Sequence, residues 1–182
     1  MPERKALSGN GSSRLAEDIA NQLSGMESIV VSDVYADTDQ SRLTISNLPD
    51  DPGIAEDVFT AIAEGGVMVD MIVQNAARDG RASISFTVPC ADVDRSLLLL
   101  REVLERYAGS NLTYDRHIGK LSVVGIGLRS HTDVGARLFR TLAENRINVQ
   151  MINTSEIKLS VVISADQARQ ALQRIRTEFG LE

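Results

Sequence analysis

Apolar and polar positions alternate over 42–48 (RLTISNL), which places Leu43 and Ile45 on one face of a strand. After Pro49-Asp50-Asp51-Pro52-Gly53 the period changes. Ile54, Val58 and Ile62 recur at helical spacing with Ala55 and Phe59 beside them, and Gly65-Gly66 ends the run after Glu64. Residues 67–75 (VMVDMIVQN) predict a strand. Arg78-Asp79-Gly80-Arg81 carries an Asp-Gly hairpin signal, and 82–88 (ASISFTV) predicts the returning strand. Asp92 or Asp94 opens a second helix to about Tyr107, with Val93, Leu97, Leu100 and Leu104 inward. A short strand over 111–115 (NLTYD) closes the set, so the order is βαββαβ.

The cycle then restarts. Residues 120–128 (KLSVVGIGL) predict a strand, 134–145 a helix with Val134, Leu138 and Leu142 inward, and 147–153 and 158–164 two more strands. A last helix over 165–179 turns Ala168, Leu172, Ile175 and Phe179 inward. The two copies align at an offset of 80 residues: Phe59 with Phe139, Ala63 with Ala143, Glu64 with Glu144, Val69 with Val149, Met71 with Met151 and Ile72 with Ile152. An internal repeat at fixed offset outweighs any single-residue signal.

The second copy ends one strand short, at Phe179-Gly180-Leu181-Glu182, while an extra strand stands in front at 28–35 (SIVVSDVY), followed by an expected turn at Thr38-Asp39-Gln40. A sheet edge left open exposes unpaired backbone groups. The front strand is therefore expected to complete the second sheet. The predicted division is 42–116 for the first unit and 28–36 plus 119–182 for the second, so that the first is inserted into the second. Residues 1–25 read as a linker, with a short helix possible over 14–23.

Composition narrows the function classes. A net charge of −6 argues against a nucleic-acid partner, and aromatics at 4% leave no stacking pair for RNA on the strands. Cys90 is the single cysteine, which fits a reducing compartment and excludes an internal disulfide. No apolar run is long enough for a membrane, and the N-terminal residues have no signal-peptide core. The chain is expected to be cytoplasmic. His117 and His131 lie on different predicted loops, Cys90 has no partner histidine, and Gly125-Ile126-Gly127 lacks the rest of a phosphate loop. No catalytic residue and no metal site is expected.

Two features carry chemistry. Helix starts present free N–H groups and a positive dipole end, which suit a carboxylate. Pro52 is read as a tolerated first-turn proline, Gly53 lets a ligand approach the backbone, and Asp51 is placed to cap the helix. The same turn also reads as an ordinary well-made helix start. The second feature is Asp70, which falls within the predicted strand although aspartate is depleted in strands. It could hold an ammonium, with the amides of Gln74 and Asn75 just after it. An exposed edge aspartate is the plain alternative. In the second copy the counterparts are Asn153, Thr154, Ser155 and Glu156. A helix start opposite a polar strand end can grip both ends of a zwitterion, so an amino-acid site is expected.

These stretches resemble a known family. LPDDPGIAEDVFTAIAEGGVMVDMIVQN followed by DGRASISFTVP resembles the first ACT domain of aspartokinases, and GKLSVVGIGLRSH with INVQMINTSEIKLSVVIS resembles the second. The resemblance runs from about Met26 to Leu181. It implies an α+β fold of two ferredoxin-like βαββαβ ACT domains, the first inserted into the second. It also implies dimerisation through ACT domains, lysine and/or threonine as effector, and a partner catalytic domain or subunit that phosphorylates aspartate. ATP and Mg are expected only in that kinase domain, with no cofactor in this chain. By position, the first pocket would add Ile54, Ala55, Val69 and Met71 to Asp51, Pro52, Gly53, Asp70, Gln74 and Asn75. The second would add Ser130, His131, Val134 and Val149 to Asn153, Thr154, Ser155 and Glu156. Only the first copy keeps the Asp-Pro-Gly turn; the second has Ser130-His131-Thr132-Asp133, then Val134-Gly135. The first pocket is the expected effector site. The competing readings are a regulatory ACT subunit of another amino-acid biosynthetic enzyme, a ligand-free dimerisation scaffold, and an acyl-phosphate hydrolase using Arg129 and Asn153.

Overall fold

A computed structural model describes residues 31–76, 79–128 and 132–181. In chain order the elements are β1 (Val31–Pro49), α1 (Ile54–Glu64), β2 (Ile72–Ala76), β3 (Arg81–Pro89), a single 3-10 turn, α2 (Val93–Leu104), β4 (Asn111–Gly125), α3 (Thr132–Glu144), β5 (Met151–Thr154), β6 (Lys158–Ser164) and α4 (Ala165–Glu178). The six strands run in the order β2-β3-β1-β4-β6-β5.

β1 and β4 are each far longer than an ordinary strand of five or six residues, because each belongs to both units. The second half of β1 pairs with β3 on one side and with the first half of β4 on the other (Leu43 with Phe86 and Tyr114, Ile45 with Ile84 and Leu112). Among the described residues the first half of β1 pairs only with the second half of β4, through Val34 with Val123 and Asp37 with Lys120. That half of β4 pairs in turn with β6, through Leu121 with Val161. Each unit thus has one strand arrangement: β2-β3-β1-β4 in the first and β5-β6-β4-β1 in the second. The strand from the front of the chain fills the position that the second copy lacks, and the fold is two βαββαβ units with the first inserted into the second.

Two expectations about the middle of these strands are corrected. Thr38-Asp39-Gln40 is not a turn, and 116–119 is not a break; both lie inside continuous strands. The register instead slips twice, between Asp37 and Gln40 and between Gln40 and Arg42, with the extra residue first on β1 and then on β4. A bulge inverts the in–out alternation of the strand that carries it. Val34, at an even position, therefore packs with Val134, Leu138 and Ala168 under α3 and α4, while Leu43 and Ile45, at odd positions, pack with Val58, Ile62 and Leu100 under α1 and α2. Smaller differences lie at element ends. β2 starts at Ile72 rather than Val67, β5 at Met151 rather than Ile147, α2 ends at Leu104, and α3 starts at Thr132. The expected helix over 14–23 and residues 28–30 lie outside the described residues.

The helix-free faces meet. Met71 precedes β2 and Met151 begins β5, at opposite ends of the strand order, yet they share one buried cluster with Ile118 and Val162. Asp70 forms an ion pair with Lys120 of β4. In a flat sheet three strand spacings would hold β2 and β4 about 14 Å apart. The sheet is therefore creased across the bulged middle of β1 and β4. Gly119 sits at the crease, where an added Cβ would lie 2.8 Å from Ala168 Cβ and 3.7 Å from Ala165 Cα of α4. Gly119→Ala should cost about 1–3 kcal/mol from forced separation of α4 and β4. Urea unfolding is the measurement, with a lower midpoint and unchanged slope expected.

Candidate ligand sites at two helix starts

The turn before α1 is tied down by the Asp50 N–H, which donates to the Gly80 carbonyl of the β2–β3 hairpin at 3.0 Å. α1 begins at Ile54 because Ile54, Val58 and Ile62 drive its inner face into the core. Gly53 is the N-cap with φ +97°, and its carbonyl accepts the Asp57 N–H at 2.9 Å. L-residues rarely adopt that φ, so glycine is required by the backbone. Space above it is open, since nothing lies within 4 Å of a Cβ built there. No side chain caps the helix, so N–H groups of its first turn remain free for a ligand. Two expectations fail here. Pro52 lies before the N-cap, outside the first helical turn, and the Asp51 side chain does not cap the helix. Asp51, Pro52 and Gly53 are exposed, Ala55 is half-buried, and Ile54 is buried.

Antiparallel packing of the helices brings the end of α2 to the same place. Tyr107 donates its hydroxyl hydrogen bond to Asp57 Oδ2, and Arg106 Nη1 lies 3.2 Å from the same oxygen. The bond to Asp57 is the main cause that raises the Tyr107 pKa, followed by desolvation and by the field of Asp57; Arg106 opposes it, and Asp51 adds to it. Sequence reasoning missed Asp57, Arg106 and Tyr107. The available signal was topological: a βαββαβ unit sets the C-terminus of its second helix beside the N-terminus of its first.

On the strand side the expected residues separate. Gln74 and Asn75 are exposed on β2, paired with Ile84 and Ser83. Val69 is partly buried in the first core. Met71 is buried against Ile118 and Val162, so it does not line an open pocket. Asp70 lies ahead of β2, not inside it, although its N–H reaches Thr87 O at 3.2 Å. Its carboxylate is already engaged by Lys120, which is 7% exposed.

In the second unit Ser130 and His131 lie outside the described residues, as does Arg129. Val134 is buried in the core, with Val149 partly buried against it. Asn153 and Thr154 are exposed on β5, and Ser155 and Glu156 form the exposed tip of the β5–β6 hairpin. The Ser155 N–H donates to Lys158 O at 2.7 Å, and Ser155 Oγ accepts the Lys158 N–H at 3.1 Å. Glu156 O accepts the Leu128 N–H at 2.9 Å, and Ile157 O accepts the Gly125 N–H at 3.0 Å. The hairpin tip thus holds the connection from β4 towards α3.

Comparison with known proteins places this geometry. A model of the ACT domain matches residues 45–104 and 121–179. The chain belongs to the ACT-domain family, as a tandem-ACT regulatory region of the aspartokinase kind. It is 37% identical to the ligand-free regulatory subunit of aspartate kinase from Thermus thermophilus, with a TM-score of 0.79 over 82% of this chain and 99% of that one. A structure of aspartokinase alpha and beta subunits matches at 40% identity and a TM-score of 0.76, over 83% of this chain and 99% of that one. Among curated relatives, the aspartate kinase Ask_LysC of Stutzerimonas stutzeri is 40% identical over 86% of this chain, which spans 38% of that protein. The aspartokinase of Pseudomonas aeruginosa is 38% identical over 90% of this chain, which spans 40% of it. The match therefore covers about two fifths of the length of these curated relatives.

Two outcomes check the first helix start. Gly53→Ala should destabilise the chain by about 1 kcal/mol or more, because alanine is strained at positive φ; thermal unfolding is the readout. The Tyr107 phenol should titrate above its usual 10.0, read by ultraviolet absorbance, and Asp57→Asn should bring the midpoint back towards that value. Its folded pKa is raised, so its contribution to stability is complete below pH 10.0 and is lost as pH rises through the raised midpoint.

Proposed function

We propose that this chain is the regulatory module of an aspartokinase and binds lysine and/or threonine for feedback inhibition of aspartate phosphorylation. The observation that carries the reading is the open, uncapped start of α1 at Gly53, in a chain that matches 99% of the length of an aspartate kinase regulatory subunit. The effector's carboxylate docks on the N–H groups of Ile54 and Ala55, where the helix dipole favours an anion. Its ammonium is drawn by the turn carboxylate Asp51, with Gln74 and Asn75 towards the end of β2 that adjoins the turn; Asp70, beside Thr87, lies about 20 Å along β3 from that end and takes no part in this pocket. By position in the repeat, the second pocket would draw on Ser130, His131, Val134, Val149, Asn153, Thr154, Ser155 and Glu156, of which Ser130 and His131 lie outside the described residues. It lacks the Asp-Pro-Gly turn and is the weaker site.

Regulation needs two states and an effector that distinguishes them. The module pairs with a second copy through its ACT units and acts on a catalytic domain or subunit, where ATP and Mg do their work. Effector binding sets the orientation of the paired units and biases that catalytic part towards inactivity. Among the described residues no helix is long and apolar enough to cross a membrane.

Calorimetric titration of the chain with L-threonine and with L-lysine tests the proposal. Heat is expected with at least one of them, and Asp51→Ala should weaken it about tenfold through loss of a charge-assisted contact. No heat with either at millimolar concentration contradicts the assignment.

A further inference from the structure

An amino-acid carboxylate at the start of α1 meets charge of its own sign. α1 contains no basic residue, and Glu56 and Asp57 fall in its first turn. The Asp57 N–H donates to the Gly53 carbonyl at 2.9 Å, which sets Asp57 one turn past the N-cap. Helical side chains lean back towards the N-terminus, so its carboxylate stands about one helical turn from the Ile54 and Ala55 N–H groups. Like charges at that range near a protein surface repel. The end of α2 offsets this charge. Tyr107 donates its hydroxyl hydrogen bond to Asp57 Oδ2, Arg106 Nη1 lies 3.2 Å from the same oxygen, and the Arg106 guanidinium carbon lies 5.8 Å from the Tyr107 ring centroid. Among the described residues Arg106 is the one cation that pairs with a carboxylate of α1.

The second unit builds the same cluster with the charges reversed. At the offset of 80 residues Arg137 of α3 takes the place of Asp57. Its Nε lies 2.8 Å from Glu178 Oε1 at the end of α4, and its guanidinium carbon lies 4.5 Å from the Phe179 ring centroid. Acid, base and aromatic ring recur at one place in the fold, and only the sign on each helix changes. What the two units share is a pair that leaves no net charge beside the helix start. The Arg106 side chain is 58% exposed, and an exposed ion pair adds little to stability. Its field acts instead on the charge that arrives beside it. We propose that Arg106 is a positioning residue for the effector site of the first unit: it neutralises Asp57 and so lets an amino-acid carboxylate settle on the start of α1. This rests on the effector reading given above. Tyr107 holds both partners, with its hydroxyl on Asp57 and its ring against the guanidinium.

The full chain, as wild type, Arg106→Gln, Asp57→Asn and Asp57→Asn/Arg106→Gln, is titrated with L-threonine and L-lysine by calorimetry, with the fold checked by circular dichroism. The carboxylate is the ligand charge nearest Asp57, so Arg106→Gln should weaken binding about threefold or more. That loss should fade in about 1 M sodium chloride, where the screening length is about 3 Å. The double variant should recover wild-type binding, because neither charge remains. Asp57→Asn alone, with Arg106 in place, should bind more tightly than the wild type. With a wild type that binds, unchanged affinity in folded Arg106→Gln, or a loss that the double variant does not recover, overturns the proposal and leaves the effector reading intact. A folded wild type that binds neither amino acid overturns both. Should Arg106→Gln fail to fold, Asp57→Asn decides: tighter binding supports the proposal, and equal or weaker binding overturns it.

Discussion

Two long strands, β1 and β4, run antiparallel through the whole molecule, and each half of each strand serves a different unit. Their pairing determines what the remaining elements can do. It supplies the second unit with the strand that its own segment lacks, and it gives both units one strand arrangement despite different chain connections. It also joins them without a linker, so a displacement in one sheet is passed along continuous backbone into the other. The bulges near Gln40 and Ile118 let the two strands stay paired while each half keeps its own apolar face under its own helices.

The crease that follows has an uncommon composition. Besides Met71, Ile118, Met151 and Val162, the buried positions of the helix-free faces include Thr87, Ser122, Ser160 and Lys120. Their hydroxyls are satisfied: Ser122 with Ser160 at 2.9 Å, and Thr87 Oγ1 accepting the Met71 N–H at 3.2 Å. A buried polar group costs little once bonded, whereas an unpaired one costs a great deal. A contact built this way is specific in register and modest in apolar area.

The repeat, the helices and the borrowed front strand were all legible in the amino-acid order, because periodicity reports which face of an element is buried. What escaped was set by partners distant in sequence. Thr38-Asp39-Gln40 has the composition of a turn, yet pairing with β4 on one side keeps it extended. Asp70 sits among Val69, Met71 and Ile72 and therefore read as a strand residue, but its carboxylate belongs to Lys120, fifty positions away. Asp51 has the chemistry of a cap, but the left-handed Gly53 starts the helix two residues later and carries Asp51 away from that role. Tyr107 and Arg106 look like the plain end of a helix until the topology sets them beside Asp57.

The regulatory role depends on an amino acid sitting on the open start of α1. The direct measurement is a crystal structure of the chain grown with L-threonine and L-lysine. The expected result is an amino-acid carboxylate bonded to the backbone N–H groups of Ile54 and Ala55, with its ammonium towards Asp51. An amino acid bound only elsewhere on the chain, with nothing at Gly53, would contradict it.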